Sequence, residues 1–287
     1  MFINLRTVFS YKKTFSNWVT VILKTIKGDY PFTAYTKGGP VIVKGHTPLY
    51  FLTRNCYTLT YTNEGALKIK YKDIDLSFYG ALNNGELYEV FINESYSPMR
   101  IKNSTVIDIG GNIGDTAIYF ALNGAEKVYA MEPQIRSYNS LIKNIEVNHL
   151  GNIIHPMLAA SGASDSEIFV ANADENPTGG NSLRVRANGQ RLKFYSLKSI
   201  AEEFATEHTA LKIDCEGCEY DIIRFSDNST LRLFEEIVIE YHFGVKSLYE
   251  KLISAGFKIH LEKGMRGFNT KSKPHFMNTG MLFCKRV

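Results

Sequence analysis

Residues 106–114 read Val-Ile-Asp-Ile-Gly-Gly-Asn-Ile-Gly, and the rest of the chain is organised around this stretch. Residues 105–108 predict a buried strand, the glycines predict a tight turn, and the apolar spacing of residues 115–122 predicts a helix. Such a unit directs unpaired backbone N–H groups and the positive end of a helix dipole at a ligand. The next predicted strand ends at Glu132, about 20 residues past the turn, where nucleoside-cofactor folds hold a ribose hydroxyl.

The composition is that of a globular chain with a substantial core: 287 residues, 44% hydrophobic and 22% charged. The first 30 residues are basic, which hints at an anionic partner or contact with a membrane surface, although a solvated helix face is the favoured interpretation. The longest apolar run near the start is too short for a membrane-spanning helix, and we predict neither a signal peptide nor an anchor. Four cysteines give no disulfide framework, so we expect a cytoplasmic protein.

Two regions differ in their patterns. Residues 1–95 predict an amino-terminal accessory region, with basic helices in residues 1–30, a small antiparallel lobe in residues 40–92 and a helix at its end. In residues 96–287, strands alternate with helices, which predicts an α/β domain whose mostly parallel sheet is covered on both faces. Ligands of such a sheet bind above the carboxyl ends of its strands.

The turn itself narrows the choice of cofactor. It reads Gly110-x-Asn112-x-Gly114, so Asn112 stands where the dinucleotide fingerprint Gly-x-Gly-x-x-Gly requires a second glycine. Asp108 adds a carboxylate, which repels phosphates but suits a cation or a hydroxyl. S-adenosylmethionine has a sulfonium, an ammonium, one carboxylate and no phosphate, so we favour it over a dinucleotide.

A family resemblance agrees with this choice. Residues 86–285 resemble the FkbM family of S-adenosylmethionine-dependent methyltransferases, whose members O-methylate sugars and polyketide natural products. The resemblance is carried by residues 86–96, 106–120, 124–133, 159–161, 181–183, 212–219 (Lys-Ile-Asp-Cys-Glu-Gly-Cys-Glu) and 239–240. It implies a class I methyltransferase (Rossmann-like) fold. Residues 1–85 resemble no family that we can name.

The resemblance also implies roles for individual residues. The methionine part of the donor would lie on the turn, Glu132 would accept both ribose hydroxyls, and Ala159, Ala160 and Ser161 would frame the adenine. Members of the family usually read Ala-Leu-Ser-Asp where this chain reads Ala-Ala-Ser-Gly, so the aspartate is absent or displaced to Asp165. The implied donor-binding residues are Tyr96, Asp108, Gly110, Asn112, Gly114, Glu132, Ala159, Ala160 and Ser161.

Transfer to a hydroxyl requires removal of its proton or binding of its oxygen to a metal. Four side chains near two predicted strand ends can do either, and we predict these as catalytic: Asp214, Glu216, Glu240 and His242. We favour metal-free base catalysis over a divalent cation. Glu219 is expected only to cap the following helix, and Cys215 and Cys218 are expected to be inert, unpaired thiols.

The acceptor is expected to be a glycan or another small molecule, contacted by residues 166–196 and 263–276. Three arginines in the first of these segments would suit an anionic acceptor. In the alternative, these arginines are only solvated charges on a strand: Arg184, Arg186 and Arg191. Nucleic acid is disfavoured, since no Asn-Pro-Pro-Tyr-type motif occurs, but RNA methylation through the basic amino-terminal region stays the rival enzymatic hypothesis. A subunit that binds S-adenosylmethionine without catalysis is the third.

Overall fold

A computed structural model of the chain describes residues 5–36, 39–43, 45, 49, 52–53, 59–61, 66–80, 86–170, 190–263 and 279–287. The chain divides into two compact units, Met1–Glu94 and Ser95–Val287. Much of the predicted acceptor contact lies outside the described residues, including Arg184, Arg186 and residues 264–276.

The first unit begins with the two predicted helices, α1 (Leu5–Thr14) and α2 (Trp18–Lys27), followed by the antiparallel pair β1 (Phe32–Thr36) and β2 (Gly39–Val43). Strands β3 (Leu59–Tyr61), β4 (Leu67–Tyr71) and β5 (Ile74–Phe78) form an antiparallel sheet, and α3 spans Glu86–Phe91. Buried and exposed side chains alternate along β4, so every second side chain enters the core, as expected for a strand with one buried face.

The two helices of this unit keep large apolar side chains in solvent. Leu5 and Phe9 on α1, and Val19, Leu23 and Ile26 on α2, are all exposed. Within the described residues, no helix has both the length and the apolar character needed to span a membrane.

The second unit alternates strands and helices as predicted. In chain order it contains β6 (Thr105–Ile109), α4 (Asp115–Leu122), β7 (Lys127–Met131), α5 (Ile135–Val147), β8 (Ile154–Met157), β9 (Ala159–Gly162), β10 (Ser166–Val170), β11 (Gln190–Ser196), α6 (Leu197–Phe204), β12 (Thr209–Ile213), α7 (Glu219–Phe225), α8 (Asn228–Leu231), β13 (Glu236–Tyr241), α9 (Lys246–Ser254), β14 (Phe257–Lys263) and β15 (Gly280–Arg286).

Seven of these strands, within the described residues, form the main sheet in the order β14-β15-β13-β12-β6-β7-β8. Strands β6, β7, β8, β12 and β13 are parallel, and β15 is antiparallel to both its neighbours. The predicted class I methyltransferase fold is therefore confirmed. A smaller sheet has the order β10-β11-β9.

This order contains a switch point between β6 and β12. From β6 the chain builds outward through β7 and β8, and it then returns to add β12 and β13 on the opposite side. Because crossovers between parallel strands are right-handed, the two directions place their helices on opposite faces of the sheet. Both β6 and β12 are buried along their whole length, and a crevice opens where two such strands diverge.

Candidate functional site

The loops that follow β6 and β12 touch through their backbones at this switch point. The N–H of Asp214 donates to the carbonyl of Ile109 at 3.0 Å. A Cβ atom on Gly110 would lie 1.8 Å from the carbonyl oxygen of Asp214, and the φ of Gly110 is +84°. Only glycine satisfies both conditions. The turn and the Asp214 motif, distant in sequence, therefore form one site.

The backbone N–H groups of the turn are not the unpaired set predicted from sequence, and that expectation is wrong for four of them. Gly110 and Gly111 both donate to the carbonyl of Met131 at 2.9 Å, and Gly114 donates to Gly111 at 2.7 Å. Asn112 donates to Oε2 of Glu132 at 2.9 Å. The turn folds back onto the end of β7, so these groups do not form a cradle for phosphate.

A buried ion pair lies beneath the turn. Nζ of Lys212 is 2.9 Å from Oδ1 of Asp108 and donates to the carbonyl of Gly110 at 2.6 Å. The hydroxyl of Thr116 donates to Oδ2 of Asp108 at 2.6 Å. Burial alone would lower the pKa of Lys212, but Asp108 and then Asp214 raise it above its ordinary value. This geometry gives Asp108 a positioning role, and its direct contact with a donor stays a prediction.

Glu132 closes the turn from the end of β7. Its Oε2 accepts from the N–H of Asn112 at 2.9 Å and its Oε1 accepts from the N–H of Gln134 at 2.8 Å. Burial raises the pKa of this carboxyl to about 7, and the two hydrogen bonds offset only part of the increase. Each carboxylate oxygen has two lone pairs, so each retains capacity for one more donor.

The other predicted donor-binding residues surround this centre less directly. Tyr96 is buried, its ring lies edge-on to Phe120 at 5.5 Å, and burial followed by the charge of nearby acids raises the pKa of its hydroxyl well above the usual value. Ala159, Ala160 and Ser161 are buried in β9. The Ser161 hydroxyl donates to the carbonyl of Tyr195 at 3.0 Å, so its oxygen can still accept a hydrogen bond from an adenine.

Asp165, the candidate for the missing family aspartate, lies at the start of α6, and its contact with an adenine stays a prediction. Its carboxylate accepts from the N–H of Ser196 at 2.7 Å and from the hydroxyl of Ser199 at 2.6 Å, at the start of α6. These hydrogen bonds lower the pKa of Asp165. Arg191, among the predicted acceptor contacts, is ion-paired with Glu167 across β10 and β11.

The catalytic set is brought together around His242. Its Nε2 lies 3.3 Å from Oε2 of Glu216 and 3.8 Å from Oδ1 of Asp214. On the other side of the ring, Nδ1 lies 2.9 Å from Oε1 of Glu219. Burial alone would lower the pKa of His242, but the hydrogen bond to Glu219 and the charges of Asp214 and Glu216 raise it to about 9. A positive charge is therefore favoured at this point.

Glu240 joins the same cluster from the end of β13. Strands β12 and β13 pair up to Ile213 and Ile239, so Asp214 and Glu240 continue at neighbouring positions of the sheet edge. Burial, followed by the negative charge of Asp214, raises the pKa of Glu240 to about 8. All four residues predicted as catalytic thus lie at one edge.

Glu216 stands on an unusual backbone. Its φ is +58°, and the following Gly217 has a φ of +124°, with only 3.0 Å between an added Cβ atom and Cε2 of Phe243. A left-handed conformation at a non-glycine residue is uncommon and collects at functional sites. Cys215 and Cys218 flank this pair and are bonded in a disulfide. The predicted free thiols are wrong, because the turn brings the two Cα atoms to 5.5 Å, within disulfide range.

From the sequence, Lys212 could form a structural pair with Asp214; its pairing with Asp108 and the buried role of Glu219 were missed. Glu219 is fully buried and accepts from the N–H of Gly217 at 2.8 Å and of His242 at 3.2 Å, besides facing the His242 ring. It is therefore more than the helix cap that we expected. The sequence did contain a signal for buried pairing. Lys212 lies in an apolar strand and Glu219 follows it closely, and such side chains are almost never fully buried unless they are paired.

Comparison with known proteins gives one family and several distant structures. Residues 108–259, more than half of the chain, match the family described as the methyltransferase FkbM domain. Solved structures that the chain resembles at a distance include M. jannaschii TYW2 in complex with AdoMet (15% identity, 86% of this chain and 91% of that chain covered, TM-score 0.43). Another is M. jannaschii tRNA m1G37 methyltransferase (14% identity, 86% and 60% covered, TM-score 0.42). None of the curated proteins matches the chain.

Proposed function

We propose, because the chain belongs to the FkbM methyltransferase family, that it transfers a methyl group from S-adenosylmethionine to a hydroxyl of a glycan, glycolipid or small natural product. The observation that carries this proposal is the meeting of the glycine turn with Asp214. It joins a nucleoside-type site at Glu132 to a cluster of acids and one imidazole at the same sheet edge.

The residues at the predicted methyl-donor site suit S-adenosylmethionine. Each oxygen of Glu132 holds one backbone N–H and keeps capacity for one ribose hydroxyl. The turn, whose N–H groups are largely taken by Met131 and Glu132, would be a poor pyrophosphate site but can pack against the uncharged and cationic parts of the methionine. We assign the methionine part to Gly110, Asn112 and Gly114, and the outer cover to Tyr96.

S-adenosylmethionine, when bound, supplies an electrophilic methyl group on a sulfonium, and the sulfur keeps the electron pair of the broken C–S bond. The acceptor oxygen forms the new bond to carbon and loses its proton. We assign that proton to the carboxylate of Glu240, because Asp214 and Glu216 both face Nε2 of His242 whereas Glu240 borders them from the next strand. Asp214 and Glu216 then orient the acceptor.

Two alternatives are kept as outcomes of the test. RNA methylation would use the basic amino-terminal region. A subunit that only binds S-adenosylmethionine does not require four ionisable side chains at one sheet edge. Their presence therefore favours an enzyme.

The test is transfer of labelled methyl groups from S-adenosylmethionine into fractionated cell glycans, lipids, small molecules and RNA. We expect label in a glycan, lipid or small-molecule fraction, and its loss in Glu240→Gln with donor binding kept. Glu250→Gln, an exposed carboxylate on α9, is the matched control and should transfer like the wild type. Label in RNA alone would refute the acceptor, and full transfer by Glu240→Gln would refute its role.

A further inference from the structure

We propose that Asp214, Glu216 and His242 bind a divalent cation of the Mn²⁺ type, on which the acceptor hydroxyl is positioned. One ligand atom from each residue lies within 4.8 Å of the other two. Metal bonds of about 2.0–2.2 Å to nitrogen and oxygen place neighbouring ligand atoms about 3 Å apart. The observed distances from Nε2 of His242 are 3.3 and 3.8 Å, so the carboxylates of Glu216 and Asp214 would move closer to the ring when the cation binds.

The orientation of His242 is the strongest support. Glu219 is fully buried and holds Nδ1 of the ring at 2.9 Å while also accepting the backbone N–H of the same residue. With Nδ1 donating its proton to Glu219, Nε2 is the ring atom that would exchange its proton for the cation, and it faces the two remaining carboxylates. Metal-binding histidines are held in this way, with the second nitrogen donating to a carboxylate.

The charge and exposure of the cluster also fit a cation. In the described part of the chain, the carboxylates of Asp214, Glu216 and Glu219 lie around the imidazole of His242, so this group of four side chains has excess negative charge. The side chain of His242 is 6% exposed, whereas those of Asp214 and Glu216 are 29% and 38% exposed. One side of the cluster is therefore buried and fixed, and the other is open to an exchanging ligand such as the acceptor oxygen.

The backbone supports Glu216 in this position. Its left-handed φ of +58° is held between Cys215 and Cys218, whose disulfide closes the short loop after β12. Two carboxylate oxygens with one imidazole favour Mn²⁺ or a similar transition-metal ion over Ca²⁺, which takes oxygen ligands. The sequence alone favours base catalysis without a metal, and the geometry of His242 leads us to propose a cation instead. Glu240 is not one of the proposed ligands.

The test is titration of the full chain with Mn²⁺, without donor or acceptor, and measurement of free Mn²⁺ by electron paramagnetic resonance. We expect one saturable site per chain. Asp214→Asn and Glu216→Gln should each weaken it at least about tenfold, and Glu219→Gln by about 10- to 100-fold. Glu235→Gln, from the exposed pair in which Oε1 lies 3.1 Å from Nδ1 of His208, is the control and should bind as the wild type does.

Two results would overturn the inference: no saturable site in the wild type, or unchanged affinity in both Asp214→Asn and Glu216→Gln. Because these side chains are partly exposed, the variants should fold, which circular dichroism checks. The role of the cation rests on the proposed function, but its binding does not. Undiminished methyl transfer in EDTA, together with no Mn²⁺ binding, would remove the cation and leave the methyltransferase proposal standing.

Discussion

Removing Lys212 should destabilise the fold far more than removing any exposed lysine. The side chains of Lys212 and Asp108 are 2% and 0% exposed, with Nζ and Oδ1 at 2.9 Å. Lys212→Met leaves the Asp108 carboxylate buried, and among the described residues the Thr116 hydroxyl is its remaining close partner. Breaking a buried pair in this way costs about 3–5 kcal/mol. For a unit of this size, each kcal/mol lowers the Tm by about 2–4 °C, so we expect a decrease of about 6–20 °C.

The assay is urea unfolding followed by circular dichroism, with two comparison variants. Lys198→Met removes an exposed pair with Glu202 and should cost about 0–1 kcal/mol. The double variant Lys212→Met with Asp108→Asn should lose less stability than Lys212→Met alone, because residue 108 then has no charge that lacks its partner. A cost for Lys212→Met equal to that of the Lys198 control would refute the reasoning.

Three further outcomes are expected. The pKa of Glu132 is raised to about 7, and ribose hydroxyls bind its ionised form. The affinity for S-adenosylmethionine, measured by calorimetry, should therefore decrease by about tenfold from pH 8 to pH 6. An affinity that does not change with pH would contradict this. Gly110→Ala should abolish folding or donor binding, since its Cβ would lie 1.8 Å from the carbonyl oxygen of Asp214, and normal binding with a normal Tm would disprove that contact. Exposed apolar side chains beside basic residues on α1 and α2 predict sedimentation with anionic but not neutral vesicles, reduced in Leu23→Gln; equal sedimentation with both vesicle types would exclude a charge-driven contact.

The chain order and type of the elements were predictable because local patterns encode them. Strand β6, the turn and α4 follow from a buried apolar run, glycines and helical spacing within residues 105–122. The meeting of the turn with Asp214 also follows from general rules, because parallel strands end at one sheet edge.

The partners of buried charges were not predictable. Lys212 pairs with Asp108 across neighbouring strands rather than with nearby Asp214, and only the sheet register decides this. An acid in the first turn of a helix, such as Glu219, looks the same in sequence whether it caps the helix or enters the core. The disulfide of Cys215 and Cys218 likewise depends on a turn geometry that the spacing alone does not specify.

The most direct test of the central claim is calorimetric titration of the full chain with S-adenosylmethionine. We expect one site per chain, which is lost in Glu132→Ala and kept in Glu202→Ala, a variant of an exposed carboxylate on α6. Absence of binding to the wild type, or unchanged binding in Glu132→Ala, would contradict the assignment of the glycine turn and Glu132 as the methyl-donor site.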